Sequence, residues 1–272
     1  MSDKEKIQAG NMLEVRDLDV TFRSTGKHAV HSISLDMAYG ERLGLVGESG
    51  SGKTVTAMAI SGLIERNNVQ MSGTVHFDGT NLMTCSRHEL RNIQGRDIGV
   101  VFQEPMTSLN PLKRIGNQVE EALRIHTDLS AEERKKRALD ALEMVGIPDP
   151  EGTYQKYPHQ LSGGQRQRAM IASAMVIHPK LLICDEPTTA LDVSVQAQIL
   201  ELLQQLSEEY GVGILLISHD LKVIKKLCER VYVMYRGDIV EHGETQQVFE
   251  HPAHEYTQHL IAAIPKRERK NG

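Results

Sequence analysis

Short apolar runs alternate with stretches of helical spacing in the second half of the chain. The segments 181–184 and 214–217 each contain four apolar residues in a row and predict buried strands. An earlier strand-like run, 42–46, is followed at Val55–Ile60 by a segment that predicts a helix. From Gly164 onward, helix and strand patterns alternate, which is typical of a parallel sheet. The pattern therefore predicts an α/β fold.

Two regions depart from this alternation. Residues 13–100 hold short strands divided by turns at 38–41 and 77–80, and this spacing predicts an antiparallel β region. Residues 104–160 have a helical pattern instead. Near the C-terminus, two strand-like runs within 231–241 predict a hairpin.

The helical region has its own start and stop signals. Ile115–His126 carries apolar residues at helical spacing. Ser130–Glu133 has the pattern of a capping box and predicts a helix that reaches Val145. Gly146–Pro148 then ends the helix.

A glycine-rich loop lies between the strand at 42–46 and the helix at Val55–Ile60. It fits the pattern G-x-x-x-x-G-K-[ST] at every fixed position, and the strand before it and the helix after it are the context that this pattern requires. Its backbone N–H groups form a nest for phosphates. We expect Lys53 to reach the β- and γ-phosphates of ATP and the Thr54 hydroxyl to bind Mg²⁺. The predicted nucleotide-binding residues of this loop are Gly47, Glu48, Ser49, Gly50, Ser51, Gly52, Lys53 and Thr54.

An acidic pair ends the buried run 181–184. In P-loop enzymes an aspartate at such a strand end holds Mg²⁺, which assigns that role to Asp185. The adjacent Glu186 is placed to polarise the attacking water as a general base. The alternative is that two carboxylates merely end a strand at the solvent.

Three more polar residues follow strand-like runs or the acidic pair. His219 comes after the run 214–217, where an imidazole can hydrogen-bond the γ-phosphate or the attacking water. Gln103 is the last residue of the strand-like run 100–103, and its amide can sense Mg²⁺ or water. Asp192 follows the acidic pair on a short loop.

A second glycine loop has the sequence Leu161, Ser162, Gly163, Gly164, Gln165. It lies too far along the chain to share one phosphate cradle with Lys53. It makes sense if it reaches the nucleotide of a partner subunit, and the two loops together describe an ATPase that works as a pair.

These motifs, in this order, resemble the nucleotide-binding subunit of ATP-binding-cassette (ABC) transporters. The resemblance covers Leu13 to about Ile264. It implies that Leu161–Gln165 is the ABC signature, which generic P-loop proteins lack. It further implies Gly47–Thr54 as the Walker A loop, Leu182–Asp185 as the Walker B strand, Glu186 as the catalytic glutamate, Gln103 as the Q-loop glutamine, Asp192 as the D-loop aspartate and His219 as the switch histidine.

The resemblance also implies an architecture and two cofactors. We expect a P-loop NTPase core with a parallel sheet, an antiparallel β subdomain and a helical subdomain inserted at about 104–160. The ABC ATPase domain is predicted to span 13–265, followed by a charged tail at 266–272. ATP and Mg²⁺ are the implied cofactors, with Thr54, Asp185 and Gln103 as the metal-side residues.

An aromatic residue usually stacks on the adenine in this family. Phe22 is the candidate here, because it follows Val20 and Thr21 near the end of the first strand. The alternative is an ordinary core phenylalanine, since a single aromatic in a strand usually packs.

The nearest subfamily resemblance is to peptide and nickel importers. It rests on Gly47–Lys53, Gln103–Pro111, Tyr157–Gln160 and His251–Thr257. Longer members of this subfamily continue with a cysteine-rich segment that binds an iron–sulfur cluster, whereas this sequence has no cysteine beyond Cys228. We therefore expect a short form of the subfamily, a group that includes nickel- and metallophore-type importers.

The resemblance also implies partners and a location. A second ABC ATPase subunit, either a copy or a paralogue, is expected to complete the two ATP sites. Two membrane permease subunits are expected to contact Gln103–Asn110 and the helical subdomain, and an extracytoplasmic substrate-binding protein acts indirectly. The permease and binding protein choose the substrate, whether peptide, nickel or a metal chelate. The chain is then expected to sit peripherally on the cytoplasmic face of the membrane.

Composition is compatible with this interpretation. The chain has 272 residues, of which 40% are apolar and 25% charged, as in globular proteins. A net charge of −5 argues against broad nucleic-acid binding. The sequence has no run of about 18 apolar residues, so it predicts no membrane span. The charged N-terminal segment 1–6 lacks the apolar core of a secretion signal. Three widely separated cysteines are typical of a reducing cytoplasm and predict no metal cluster.

Two other classes compete with the importer. A soluble regulatory or mechanical ATPase of the same superfamily would need no permease. A plain P-loop kinase is more distant, because it would lack the signature and a residue equivalent to His219.

Overall fold

Two β-sheets and a set of helices build the chain in a computed structural model that describes residues 10–189 and 191–263. The strands are β1 (Asn11–Phe22), β2 (His28–Ala38), β3 (Arg42–Val46), β4 (Val69–Phe77), β5 (Thr80–Asn81), β6 (Ile98–Val101), β7 (Leu181–Asp185), β8 (Gly213–Ser218), β9 (Arg230–Tyr235) and β10 (Asp238–Glu244). The helices are α1 (Lys53–Ile60), α2 (Arg87–Ile93), α3 (Pro105–Ser108), α4 (Ile115–Val119), α5 (Glu121–His126), α6 (Ala131–Met144), α7 (Pro150–Gln155), α8 (Gly163–Met175), α9 (Val193–Tyr210), α10 (Leu221–Leu227), α11 (Thr245–Glu250) and α12 (Glu255–Ala262).

The larger sheet has the order β10–β9–β3–β8–β7–β6. Its pairs are parallel except for the antiparallel hairpin of β9 and β10. Because parallel strands end at the same edge, β3, β7 and β8 deliver the residues that follow them to one side of the sheet. This edge is where the first glycine loop, after β3, and the acidic pair, at the end of β7, would have to meet.

The smaller sheet is antiparallel, with the order β2–β1–β4–β5. Its apolar face packs on the larger sheet, which thereby separates two hydrophobic cores. In β8, Leu215 and Ile217 belong to the core beneath the small sheet, whereas Ile214 and Leu216 face the core shared with the later helices. This division follows from the alternation of side chains along a strand, and burial on both faces explains the continuous apolar run.

Helices occupy the segment between β6 and β7. The fold class predicted from sequence is confirmed: a parallel P-loop core, an antiparallel β region and an inserted helical region. The predicted capping box of α6 is also present, with Glu133 N–H donating to the Ser130 hydroxyl. The exact limits 13–265 and 104–160 stay predictions, and the charged tail 266–272 lies outside the described residues.

Two boundaries differ from the pattern. The apolar spacing over Ile115–His126 predicts helix, and the structure has two helices there, α4 and α5, with Glu120 between them. Glu120 keeps helical dihedrals (φ −70°, ψ −13°), so the apolar spacing continues through the interruption and gives no sign of it. The strand expected to run to Gln103 stops at Val101, which leaves Phe102 and Gln103 on the following loop.

Candidate nucleotide site

The first glycine loop connects β3 to α1. Gly50 and Gly52 have φ angles of 80° and 109°, in the left-handed region that favours glycine. Gly47 has a different constraint, because a Cβ there would lie 2.1 Å from the Met234 carbonyl oxygen. No side chain caps the start of α1, so its first N–H groups face the loop without a side-chain partner. The loop thus has the backbone geometry of an anion-binding nest.

Lys53 is the cation of this loop. Its side chain is buried, and Nζ donates to the Gly47 and Glu48 carbonyl oxygens, each at 2.8 Å. Burial lowers the pKa of Lys53, and the carboxylates of Glu186 and Asp185 oppose that shift. The ammonium is therefore held inside the loop by groups that a phosphate could replace.

Asp185 ends β7 and is buried. Burial raises the pKa of Asp185, the nearby Thr54 hydroxyl lowers it, and Glu186 raises it again. The Asp185 Oδ1 atom has no hydrogen-bond partner among the described residues. A buried carboxylate oxygen without a partner, next to a hydroxyl, is a donor set that suits a hard cation such as Mg²⁺.

Glu186 lies at the centre of a hydrogen-bonded cluster. The Gln103 amide donates to its Oε2 atom at 3.0 Å, and the His219 Nδ1 atom lies 3.0 Å from Oε1. The Thr189 hydroxyl donates to Oε2 at 2.9 Å. Two residues distant in sequence, Gln103 on the loop after β6 and His219 on the loop after β8, thus converge on the carboxylate that follows β7.

The backbone of Glu186 is strained. Its φ angle is +47°, a left-handed conformation that costs a non-glycine residue about 1–3 kcal/mol. Its N–H donates to the Ile217 carbonyl of the neighbouring strand at 2.9 Å. Such strain persists only where the surroundings fix it, and here it directs the side chain toward Gln103 and His219.

The second glycine loop starts α8. Ser162 is the N-cap, since its hydroxyl accepts from Gln165 N–H and its own N–H donates to the Gln165 side chain. Leu161 is buried, whereas Ser162 and Gly163 are exposed. Across the described ranges, no hydrogen bond joins 161–165 to 47–54. The two loops therefore form no shared hydrogen-bonded cradle within the part of the chain that the structure describes.

The two glycines of this loop differ in their surroundings. A Cβ on Gly164 would lie 2.9 Å from a methyl group of Val195, which is too close without a shift. A Cβ on Gly163 would lie 3.6 Å from Leu191, an ordinary contact. Gly164 is therefore needed for packing within the chain, and Gly163 is not.

Asp192 is the N-cap of α9. Its carboxylate accepts from the N–H groups of Ser194 and Val195, each at 3.0 Å. The hydrogen bond from the Ser194 hydroxyl, and then those from the backbone, lower the pKa of Asp192. Because Val195 touches Gly164, this cap fixes the start of α9 against the second glycine loop.

Phe22 is the last residue of β1. It is partly buried and packs against the core beneath the small sheet. Packing gives the ring a role without any ligand, and adenine stacking by Phe22 stays a prediction.

Two residues of the site were not singled out from the sequence. The only sequence feature that could have identified Thr189 is its position three residues after Glu186. Tyr256, in α12, accepts a hydrogen bond at 2.9 Å from Glu48 N–H of the first glycine loop. Nothing local in the sequence connects residues 208 positions apart, although Tyr256 lies in a segment that resembled the importer subfamily.

Comparisons with known proteins identify the family of the chain. The family described as "ABC transporter" matches residues 30–189. The chain belongs to the ABC transporter family. Membership also makes it a nucleotide-binding ATPase, as predicted. A second family, described as the C-terminal region of oligopeptide/dipeptide transporters, matches residues 240–272.

Solved ABC structures share the fold. A dimeric ATP-binding cassette in a post-hydrolysis state bound to ADP and Pi is 31% identical, with a TM-score of 0.77 over 86% of this chain and 99% of that one. The protein cbiO1 of Clostridium perfringens, part of the ABC transporter complex cbiONQ, is 31% identical, with a TM-score of 0.75 over 89% of this chain and 92% of that one.

Curated ABC relatives are similar along nearly the whole chain. The peptidoglycan transport ATP-binding protein YejF of Agrobacterium fabrum is 51% identical over 94% of this chain, which spans 48% of that protein's length. The dipeptide transport protein DppD of Haemophilus influenzae is 48% identical over 94%, and the chain spans 78% of it. The oligopeptide transport protein OppD of Bacillus subtilis is 46% identical over 96%, and the chain spans 74% of it. The predicted resemblance to the peptide-importer subfamily is confirmed.

The helices of the described residues include none with the length and hydropathy that a membrane span requires.

Proposed function

We propose that this ABC ATPase is the ATP-hydrolysing subunit that powers import of peptides across a membrane. The single observation that carries the ATPase part is the convergence of Gln103 and His219 on Glu186, beside Lys53 and Asp185. Peptide as the cargo is supported by the C-terminal family match and by the names of the dipeptide and oligopeptide relatives. Those names specify no nickel or metal chelate, so that part of the expectation has no such support.

Each residue of the cluster takes a separate role in hydrolysis. Glu186 accepts the proton of the attacking water, since its carboxylate is the only base in contact with both Gln103 and His219 in the described chain. His219 lies at the exposed rim, where its other ring nitrogen can hydrogen-bond the γ-phosphate. Gln103 holds Glu186 and senses the same water.

Mg²⁺ fits the donor set between β7 and α1. The unpartnered Asp185 Oδ1 atom and the Thr54 hydroxyl would hold it, Asp185 through water. The metal would offset the negative charge of the β- and γ-phosphates. The Gln103 side-chain N–H donates to Glu186, which leaves the Gln103 carbonyl oxygen available as a ligand for the metal.

A second ATPase subunit completes the nucleotide site. Ser162 and Gly163 are exposed, begin a helix and make no hydrogen bond to the chain's own P-loop within the described residues. A helix start with free N–H groups binds phosphate. We infer that these residues meet the γ-phosphate held by the partner, and the solved relative with ADP and Pi is described as dimeric. The partner is a copy or a paralogue.

A permease helix occupies the groove between the sheet and the inserted helices. The groove has a volume of about 370 Å³ and is lined by Leu63, Phe102, Ala122, Ile125, His126 and Met170, among others. Phe102 and Ile125 are 41% and 67% exposed, which is high for apolar side chains and favours an amphipathic helix as the occupant. Phe102 adjoins Gln103, so a helix seated there is one residue from the catalytic cluster. The subunit would then be peripheral, on the cytoplasmic face.

Co-purification from detergent-solubilised membranes tests the importer proposal. The expected result is recovery of polytopic permease subunits with the wild-type chain, loss of recovery with Ile125→Asp, and retention with Tyr210→Asp as an exposed control on α9. In proteoliposomes with the recovered permease and its external binding protein, peptide should stimulate ATP hydrolysis and Ni²⁺ should not. Full ATPase activity with no membrane partner would favour the soluble mechanical or regulatory ATPase instead.

A further inference from the structure

The C-terminal helix α12 makes a direct contact with the phosphate-binding loop. Tyr256 is 9% exposed, and its hydroxyl accepts a hydrogen bond from the Glu48 N–H at 2.9 Å. Burial raises the pKa of Tyr256, so the phenol is neutral at physiological pH. The bond joins the segment that matches the oligopeptide/dipeptide C-terminal region to the segment that matches the ABC transporter family.

The bond acts on the peptide group that also holds the P-loop lysine. Lys53 Nζ donates to the Gly47 carbonyl oxygen, and Tyr256 accepts from the N–H of the same Gly47–Glu48 peptide. A peptide group is planar, so fixing its N–H also fixes the direction of its carbonyl. Hydrogen bonds in such a chain also polarise one another. The Tyr256 hydroxyl therefore helps to set the orientation from which Lys53 must move toward a phosphate.

The turn between β9 and β10 also contacts the loop. Gly237 N–H donates to the Ser51 carbonyl at 2.9 Å. The Tyr256 ring packs on the ring of Tyr235, the last residue of β9, with centroids 4.1 Å apart. The turn and α12 together form one support beneath the P-loop.

Glu241 fastens α12 to this support. Its carboxylate, on β10, accepts from the N–H groups of Ala253 and His254 at 2.8 and 3.0 Å. His254 in turn caps α12 by accepting from Tyr256 N–H at 3.1 Å. The position of the Tyr256 hydroxyl is thus determined by contacts outside the nucleotide site.

We propose that Tyr256 is a positioning residue for ATP binding: it fixes the Gly47–Glu48 peptide, so that the C-terminal segment sets the affinity of the P-loop for phosphate. The proposal requires only the ATPase activity and does not depend on peptide as the cargo. It gives the C-terminal segment a role in nucleotide affinity, and any partner that displaces α12 would weaken ATP binding.

The test compares two hydroxyl deletions in the full-length chain. Tyr256→Phe removes the acceptor for Glu48 N–H and keeps the ring. Tyr235→Phe removes the other hydroxyl of the same ring pair, which makes no hydrogen bond within the described residues. We expect Tyr256→Phe to raise the KM for ATP and the Kd for ADP about three- to tenfold, with kcat within twofold. Tyr235→Phe should leave the KM, the Kd and kcat unchanged.

A second variant leaves every P-loop contact residue in place. Glu241→Ala releases the loop before α12. It should also raise the KM for ATP, but by a smaller factor than Tyr256→Phe. Thermal unfolding is followed for all three variants. The proposal is overturned if Tyr256→Phe and Glu241→Ala both match the KM of Tyr235→Phe. It is also overturned if they lower kcat and Tm while the KM stays constant, because that outcome marks α12 as a packing element only.

Discussion

The two glycine loops of this chain both combine glycine with serine, but they differ in burial and in hydrogen bonding. The first is closed on itself: Lys53 is buried and bonded to the loop's own carbonyls, and Asp185 and Glu186 lie beside it. The second is open: Ser162 and Gly163 are exposed, and their hydrogen bonds only start a helix. The first loop is completed by contacts from its own chain, whereas the exposed residues of the second are left available to a ligand presented from outside. That difference is the physical basis for proposing an ATPase that works as a pair.

The largest effect is expected at the closed site. Glu186→Gln keeps the shape and the contacts to Gln103 and Thr189 but removes the base. We expect turnover to fall about 10²–10⁴-fold with ATP affinity retained. Turnover is measured by phosphate release and affinity by equilibrium binding. Turnover within threefold of wild type would refute the assigned role.

Lys53 tests the closed loop as a binding element. Lys53→Met keeps most of the apolar stem and removes the ammonium, which makes charge-assisted hydrogen bonds worth about 1.5–3 kcal/mol. ATP affinity should therefore fall about 10- to 100-fold, measured by equilibrium dialysis on a variant whose circular dichroism matches wild type. Unchanged affinity in a folded variant would contradict the role.

The open loop is tested at Gly163. Gly164→Asp would be ambiguous, because any Cβ there collides with Val195 in the same chain. Gly163→Asp fits the isolated subunit and favours the helix start, but it places a carboxylate against the partner's γ-phosphate. We expect unchanged ATP affinity in the monomer, loss of ATP-dependent association in the Glu186→Gln background, and turnover lowered about tenfold or more.

Gly163→Ala is the matched control for the added Cβ, because it brings no charge. A drop in monomer ATP affinity with Gly163→Asp, together with normal ATP-dependent association, would mean that the second loop serves its own chain's nucleotide.

The smallest effect is expected at Ser162, where the test distinguishes a helix cap from a residue that also contacts a ligand. Ser130 and Ser162 begin α6 and α8 with the same capping box. Replacing either with Ala should cost about 1 kcal/mol in the free energy of unfolding. Only Ser162→Ala should also slow turnover. Urea denaturation and phosphate release are measured on both variants, and equal turnover would leave Ser162 with a structural role alone.

The sequence by itself determined what depends on neighbours along the chain. The apolar runs before Asp185 and His219 identified buried strands, because a strand covered on both faces has no polar position. The glycines and Lys53 identified the P-loop, because its conformation and charge are local. The capping box at Ser130 identified the start of α6 for the same reason.

Only the tertiary structure decided what depends on packing between distant segments. Parallel strand order brought Gln103 and His219 to Glu186, and the left-handed backbone at Glu186 directed its side chain to both. The demand for glycine at position 164 comes from Val195 on another helix. The bond from Glu48 to Tyr256 has no local signature, because a hydroxyl 208 residues away meets that N–H only after both sheets and α12 have packed.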